Sequence, residues 1–573
     1  MRTLQLDGFR VGVATRHLSP RDARVVQPWV DPVTGVLVAM DGRLDAATEL
    51  AARLGVRDGS LTPSDAELVA RAYARYGSGF AAQIHGEFAF VVYDPQERLA
   101  LAARDTLGSR MVYWARTPTG VVISNELPAL RRFPGVEDNL DPLAIADFLM
   151  HGYVDYFDKQ RTPFASIRAL PPSECLVVRD GDIRVRRYRS FGEMLHQVRG
   201  LRPSEIPDAF REAFAQALEE RMEASSVLIP LSGGLDSTTI AATAKLLCDR
   251  GRTRAQLTAI TNLASESDPE GAFAREVANS LGLEHRLAVI RPGTFLGDGA
   301  PTWYPQLSFF SQPHDSEAKA ETPQFDITIF GSAGDSVVYQ ERSTWIGLLR
   351  QYGLRHAGHA WLTLRASGRS ISWGTGLQSG RLRHGPGVDF DWAMPHGRPS
   401  WLVPSFVSDY RLDQRWADNL RWRPVDELHP VYPHAQAMLQ WANWFGGYFD
   451  VGMECTPSEW TDPFLDFRVI SLCFSLPPEP WMFRKHLLRE VGSGLLPDSV
   501  LKRPKTPAGN YVAPWVRAAD RRILDGWQMA PELAAFVDRD AIPPIDAETE
   551  GRNAYMNFRP LMLQRWFAGL GQW

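Results

Sequence analysis

The chain has 573 residues, of which 44% are hydrophobic and 23% charged, and a formal net charge of −5. This length predicts two or more domains, each with its own core, and the composition is typical of an ordinary soluble protein. The negative charge and the lack of a basic tract argue against bulk nucleic-acid binding, and the lack of a long apolar segment argues against a membrane span. Because the N-terminus has no apolar signal segment, we expect a cytoplasmic protein.

The first part of the chain, residues 1–195, is dominated by strand-like runs. These lie at residues 36–40, 88–93, 99–102 and 120–123. One helix is predicted after Ser64, which can cap it, and Glu67 can complete a capping box. Because strands at hairpin spacing outnumber helices, we expect an α+β domain here. The charged, aperiodic stretch 187–203 predicts the domain boundary.

The second part, residues 205–573, changes to an alternation of strands and helices. The predicted elements are a helix at 205–222, a strand at 227–231, a strand at 257–261, a helix at 270–281, and strands at 286–290 and 327–330. This alternation predicts an α/β domain with a parallel, doubly wound sheet. Such a sheet binds its ligand at the carboxyl ends of its strands.

A glycine-rich segment with the sequence Ser-Gly-Gly-Leu-Asp-Ser, residues 232–237, follows the first of these strands and opens a helix. Gly233 and Gly234 let backbone N–H groups converge on an anion at the helix N-terminus, and the two serines add hydroxyl donors. Asp236 is an odd neighbour for a phosphate unless a cation lies between them, so we interpret it as a ligand of nucleotide-bound Mg²⁺. The motif predicts ATP cleavage between the α and β phosphates. The alternative is a turn whose glycines are needed only for steric reasons.

A second carboxylate, Asp335, follows the strand at 327–330 in the segment 331–336. Because the carboxyl ends of parallel strands share one edge of a sheet, Asp236 and Asp335 could face one another across the same crevice. Two carboxylates at a phosphate site require a cation between them. We therefore predict that both hold Mg²⁺. The alternative for Asp335 is an ordinary turn aspartate beside glycines.

The cysteines and histidines show no metal-ligand spacing. Cys175, Cys248, Cys455 and Cys473 are far apart, and the thirteen histidines form no cluster. We therefore expect core thiols, without a disulfide framework or a transition-metal site.

Several motifs, in this order, resemble the asparagine synthetase B family over nearly the whole chain. The matching stretches are 41–45, 64–69, 86–94 and 103–110 in the first domain, and 232–237, 331–335, 462–466, 485–489, 496–497 and 503–505 in the second. The resemblance implies a glutamine-amidotransferase-like first domain of the Ntn type and an amide-forming, pyrophosphate-loop synthetase domain with a parallel sheet and helical elaborations. It also implies that Lys505 stabilises developing charge and that Lys485 contacts phosphate. The residues expected to contact the nucleotide are Leu231, Ser232, Gly233, Gly234, Asp236, Ser237, Asn262 and Gly331.

Three positions depart from the family's pattern. Members that hydrolyse glutamine use a cysteine exposed after removal of the initiator Met, whereas position 2 here is Arg2. We therefore expect a first domain that makes no ammonia. Ser336 stands where asparagine synthetases usually have Glu. Ser332 stands where β-lactam synthetases have Tyr. These departures leave the general base open, with Glu454 and Glu459 as candidates.

The segment 341–430 is rich in tryptophan and arginine and contains no lysine. Rigid aromatic rings and planar cations suit a surface that holds a peptide, and Trp361, Trp392 and Trp401 are the rings we expect to contact it. The alternative is a helical lid whose tryptophans form its core.

With the lost cysteine, this segment predicts a lasso peptide cyclase, a macrolactam synthetase that joins two groups of one peptide. The expected substrate is a leaderless precursor peptide, and a leader peptidase is the candidate protein partner. The alternatives are a β-lactam synthetase-like or other small-molecule amide synthetase, and a catalytically inactive peptide-binding scaffold.

Overall fold

A computed structural model describes most of both predicted domains. The described residues are 2–6, 8–15, 26–56, 63–152, 154, 158–194, 198, 200–263, 266–289, 303–305, 325–339, 345–370, 398–421, 458–504, 527–545 and 551–572. Within these ranges, no helix is both long enough and apolar enough to cross a membrane.

The first domain is built on antiparallel sheets. Its strands are β1 (Arg2–Leu6), β2 (Phe9–Val13), β3 (Trp29–Val30), β4 (Leu37–Leu44), β5 (Gly86–Asp94), β6 (Leu99–Arg104), β7 (Tyr113–Thr117), β8 (Gly120–Ser124), β9 (Ile167–Ala169), β10 (Glu174–Arg179) and β11 (Asp182–Arg187). They form a β1-β2 hairpin, a six-stranded sheet in the order β11-β10-β6-β5-β4-β3, and a three-stranded sheet in the order β8-β7-β9. The predicted α+β character of this domain is confirmed.

Short helices accompany these sheets. They are α1 (Ala47–Leu54), α2 (Asp65–Tyr76), α3 (Leu127–Arg131), α4 (Pro142–His151) and α5 (Phe191–Met194). Helix α2 is the helix predicted from Ser64, whose side chain accepts a hydrogen bond from the backbone N–H of Glu67 at 3.2 Å. Its buried face packs with Phe88, Phe90 and Leu101 of the large sheet in one hydrophobic core.

The second domain contains a five-stranded sheet in which every pairing is parallel. Its strands are β12 (Ser226–Pro230), β13 (Gln256–Leu263), β14 (Glu284–Val289), β15 (Ile327–Ile329) and β16 (Glu459–Thr461), in the order β14-β13-β12-β15-β16. The central strand carries the buried run Val227 to Ile229, as expected for a strand covered on both faces. The predicted parallel α/β sheet is confirmed.

The described helices of the second domain are α6 (Ile206–Arg221), α7 (Leu235–Asp249), α8 (Glu270–Leu281), α9 (Gly334–Val337), α10 (Trp345–Ala366), α11 (Pro404–Asp409), α12 (Leu412–Arg421), α13 (Phe467–Ser475), α14 (Pro478–Trp481), α15 (His486–Gly492), α16 (Asp498–Lys502) and α17 (Gly551–Gly569). Short 3₁₀ segments lie at Gly77–Gln83, Pro203–Glu205, Pro463–Leu465, Pro531–Ala535, Arg539–Ala541 and Leu570–Gln572. Helix α10 is interrupted at Gly353, whose φ of 80° is not helical.

One hydrophobic core joins the two domains. Helix α4 of the first domain packs against residues of the 401–416 and 554–566 segments of the second. Trp401 is completely buried in this core and Trp416 is 8% exposed, so the structure corrects the expectation that Trp401 contacts a peptide. Trp361 is 42% exposed on α10, and Trp392 lies outside the described residues.

Candidate active site

The predicted pyrophosphate loop connects β12 to α7, at the carboxyl end of the central strand. Its two serines close the loop: the N–H of Ser232 donates to Ser237 Oγ at 3.0 Å, and the two hydroxyl oxygens are also 3.0 Å apart. The N–H of Gly234 donates to Ser232 Oγ at 3.2 Å. Leu231 is tied to the next strand because its N–H donates to the carbonyl of Ile260 at 2.7 Å.

The loop also contacts a carboxylate to which the sequence assigned no role. The N–H of Gly233 donates to Glu270 Oε2 at 2.7 Å, and Arg503 forms an ion pair with the same carboxylate. The Arg503 guanidinium lies 4.1 Å from the ring centre of Phe273. A Cβ atom at Gly233 would come within 2.6 Å of the Phe273 Cβ, so only glycine fits. The sequence signal for Glu270 is its place at the start of α8, after β13.

The structure brings Asp236 and Asp335 together. Asp236 lies in the first turn of α7 and Asp335 in the first turn of α9, and these helices follow the neighbouring parallel strands β12 and β15. The contact is close, because a Cβ atom at Gly334 would lie 2.6 Å from Asp236 Cγ, and one at Gly331 would lie 3.1 Å from Asp236 Cβ. The two glycines therefore let the second turn pack against the first carboxylate.

Lys485 forms ion pairs with both of these carboxylates. Its Nζ contacts Asp236 Oδ2 and lies 2.6 Å from Asp335 Oδ1. Burial lowers the pKa of Lys485, but the two carboxylates raise it by more, so its pKa is above the ordinary value and it remains an ammonium ion. The sequence predicted a phosphate contact at this position. The contact with both aspartates was not anticipated.

Asp462 supports the turn that carries Asp335. It is completely buried, and its side chain accepts hydrogen bonds from the N–H groups of Ala333 at 2.8 Å and Phe464 at 2.9 Å. Burial raises the pKa of Asp462 to about 8, although these two donors lower it. At neutral pH the carboxyl is therefore mostly protonated and adds little charge beside Asp236. Asp462 belongs to a matching motif, but sequence reasoning gave it no role.

The carboxylates of Asp236 and Asp335 fit a magnesium ion. Mg²⁺ prefers oxygen ligands and is usually held in nucleotide sites by one or two carboxylates together with substrate phosphates. Both side chains reach the same small region beside the pyrophosphate loop, since one ammonium group contacts both. Asp335 keeps 47% of its side chain exposed, which leaves room for further ligands.

The remaining predicted site residues lie in different parts of the chain. Asn262 is exposed on β13, near the carboxyl end of that strand. Glu459 is not at the site: it pairs with Ile327 at the amino end of β15, and it forms an ion pair with Arg110 of the first domain at 2.6 Å. Glu459 therefore holds the domains together, and the expectation of a base there is wrong. Glu454 and Lys505 lie outside the described residues.

The first domain has no accessible thiol at the positions described. Its single cysteine in the sequence, Cys175, is 1% exposed on β10, and burial raises the pKa of its thiol. Cys473 is also buried, whereas Cys248 is partly exposed, and Cys455 lies outside the described residues. Burial keeps Cys175 in its unreactive thiol form.

A buried ionic network lies between the domains. Its centre is Arg221 at the end of α6, which is 1% exposed. Arg221 contacts Glu87 at 2.8 Å and Asp45 at 3.5 Å in the first domain, and Asp466 at 3.0 Å in the second. The Thr461 hydroxyl donates to Glu87 at 2.7 Å, which links the first domain to the residue preceding Asp462.

Comparison with known protein families supports both domains. Residues 6–189 match a family model described as a glutamine amidotransferase domain. Residues 209–310 and 458–568 match the asparagine synthase model. Together these matches span more than half of the chain.

Individual relatives are distant. The amidase chry2 of Gibberella zeae is 24% identical, over 87% of this chain and 81% of its own. A putative glutamine-hydrolysing asparagine synthetase of Mycobacterium bovis is 22% identical, over 84% of this chain and 76% of its own. Asparagine synthetase 2 of Bacillus subtilis is 24% identical, over only 40% of this chain and 32% of its own. These matches confirm the predicted class, an ATP-dependent carbon–nitrogen ligase. The chain belongs to the asparagine synthetase family.

Proposed function

We propose that this protein adenylates a carboxylate of a peptide and closes a macrolactam, as a lasso peptide cyclase does. The observation that carries the adenylation half is the convergence of Asp236, Asp335 and Lys485 beside the pyrophosphate loop. We favour an amine of the substrate itself as the nucleophile, because the single cysteine of the first domain is buried.

The first step forms an acyl-adenylate. A carboxylate oxygen of the substrate attacks the α-phosphorus of ATP, and the bond to the β-phosphate breaks to release pyrophosphate. The N–H groups and hydroxyls of residues 232–237 receive this anion at the start of α7. Mg²⁺ held by Asp236 and Asp335 would neutralise the negative charge that develops on the leaving group. Lys485 adds a buried cation to the same region.

The second step forms the amide. The α-amine of the same peptide attacks the acyl carbon, the carbon–oxygen bond to AMP breaks, and the amine loses a proton. An amine held beside the activated carbon has a high effective concentration, so no external nitrogen donor is required. We assign none of the described residues as the base that accepts this proton.

Glutamine is expected not to donate nitrogen. Incubation of the protein with amide-labelled glutamine, ATP and Mg²⁺ should produce neither glutamate nor labelled product, because the first domain presents no usable thiol. Mass spectrometry of the product and an assay for glutamate check this. Substantial release of glutamate would contradict our account of the first domain.

Lys505→Ala is expected to leave ATP binding largely intact and to slow product formation by at least ~100-fold, the order seen when one group that stabilises developing charge is removed. The prediction rests on the Arg-Pro-Lys match at 503–505. Initial rates and nucleotide affinity, measured on the same preparation, check it. Lys502→Ala is the matched control, since Lys502 is exposed and forms a local ion pair with Asp498. Near-normal turnover of the Lys505 variant would exclude Lys505 as the group that stabilises the developing charge.

The second candidate is an amide synthetase that acts on a small molecule. Burial of Trp401 and Trp416 in the shared core favours it, because those rings no longer support a peptide-binding surface. The relative from Gibberella zeae is named an amidase, which is also compatible with amide chemistry on a substrate other than a peptide. An inactive scaffold is the third candidate, and turnover of ATP would exclude it.

Mass spectrometry of a leaderless precursor peptide, incubated with the protein, ATP and Mg²⁺, tests the proposal. The candidate peptide is to be sought as the product of a short open reading frame beside the gene. If the protein is a cyclase, the peptide should lose one water and its α-amine should no longer react with acylating reagents. AMP and pyrophosphate should form in equal amounts. Release of ADP and phosphate would exclude adenylation. AMP formation with small-molecule acids but not with the peptide would favour the second candidate.

A further inference from the structure

We propose that Lys485 occupies the metal position between Asp236 and Asp335 in the nucleotide-free protein, so that the metal ion enters only together with the nucleotide. The inference rests on the proposed function, because it assumes that ATP binds at the loop. It adds an order of binding and assigns Lys485 the role of excluding free metal.

The turn that carries Asp335 packs against Asp236. Gly331 and Gly334 pack directly against Asp236, because a Cβ atom at Gly334 would lie 2.6 Å from Asp236 Cγ and one at Gly331 would lie 3.1 Å from Asp236 Cβ. Asp462 fixes the same turn by accepting the Ala333 N–H at 2.8 Å. Contacts within the chain therefore position the backbone that carries both carboxylates.

Lys485 is placed by an unusual backbone. It and Arg484 have φ values of 58° and 50°, in the left-handed region that residues other than glycine rarely adopt. Such conformations cost free energy, and they persist where the surrounding structure enforces them. Lys485 directly precedes α15, is 8% exposed, and has its Nζ 5.6 Å from the ring centre of Tyr339. The strained backbone directs a buried ammonium group to both carboxylates.

Charge decides which cation binds. A free Mg²⁺ ion that displaced the ammonium would leave a buried positive charge without its two partners, which is costly. A nucleotide changes this balance because its phosphates offer Lys485 new negative partners next to the loop. Metal and nucleotide should therefore bind with strong positive coupling, and a neutral residue at 485 should remove the barrier to free metal.

Titration with Mn²⁺ alone, followed by electron paramagnetic resonance of the unbound ion, tests this on the full-length protein. Without nucleotide, Lys485→Met is expected to bind one Mn²⁺ about 10- to 100-fold more tightly than the wild type, the usual range for a coupling of this kind. Adding α,β-methylene-ATP should bring the wild type to one tightly bound Mn²⁺. The exposed Lys502→Met is the control and should behave as the wild type.

Two further variants make the result specific. Asp236→Asn combined with Lys485→Met should lose the gain, because the added ion needs that carboxylate. Lys485→Gln replaces the methionine variant if circular dichroism shows that the latter does not fold. Tight binding of Mn²⁺ by the nucleotide-free wild type, or no gain in a folded Lys485 variant that still binds α,β-methylene-ATP, would overturn the inference. A wild type that binds no α,β-methylene-ATP would instead contradict the proposed function.

Discussion

Replacing Asp236 or Asp335 with asparagine is expected to reduce substrate-dependent formation of AMP and pyrophosphate by at least ~100-fold. Each aspartate supplies one of the two carboxylates that converge beside the loop. Metal-based stabilisation of a developing charge contributes several kcal/mol, and each 1.36 kcal/mol is a factor of ten in rate, so losing one ligand should cost two or more powers of ten. Quantification of AMP and pyrophosphate under initial-rate conditions measures the effect.

Asp249→Asn is the matched control for these variants. Asp249 lies at the other end of α7, is more than half exposed, and forms an ion pair with Lys245 on its own helix. It should keep normal turnover. If Asp236→Asn or Asp335→Asn also turned over normally, the two carboxylates would not be metal ligands.

Replacing Arg221 with methionine is expected to lower the free energy of unfolding by about 3–5 kcal/mol, the usual cost of removing one partner from a buried ion pair. The guanidinium is fully buried and is the one cation in contact with all three carboxylates of Glu87, Asp45 and Asp466 among the described residues. Without it, Arg43 would still pair with Asp45 and Arg468 with Asp466, but Glu87 would keep only a distant ion pair with Arg43, at 3.9 Å, among these residues. Because two of the three carboxylates belong to the first domain, the interface between the domains should open first. Thermal and urea unfolding, with limited proteolysis of the native protein, measure both effects.

Arg252→Met is the control for Arg221. Arg252 forms an ion pair with Glu219 of α6, and both side chains are partly exposed to solvent. Exposed pairs contribute about 0–1 kcal/mol, so this variant should unfold close to the wild type. An unchanged unfolding midpoint for Arg221→Met would show that the network does not stabilise the assembled domains.

The network also connects the first domain to the candidate active site. Glu87 of the first domain accepts from Thr461, and the next residue, Asp462, holds the turn that carries Asp335. The core around Trp401 adds a second contact between the domains. The contacts through Thr461 and Asp462 connect the first domain to the turn that carries Asp335.

Local sequence patterns correctly predicted the helices and strands that depend mainly on neighbouring residues. Ser64 caps α2 as predicted, and α8 spans Glu270–Leu281, the range read from periodicity. The position of the loop after a buried strand, and of Asp335 after another, also followed from local pattern. The general rule for parallel sheets then placed both aspartates at one edge.

Tertiary structure alone decided the contacts between distant segments. Lys485 reaches Asp236 across 249 positions of sequence, and Arg503 reaches Glu270 across 233, so no local pattern could pair them. Glu459 and Trp401 were misjudged for the same reason. A carboxylate can serve as a base or pair with an arginine, and a tryptophan can contact a ligand or fill a core. The choice depends on which residues pack around each side chain, and packing is a property of the whole fold.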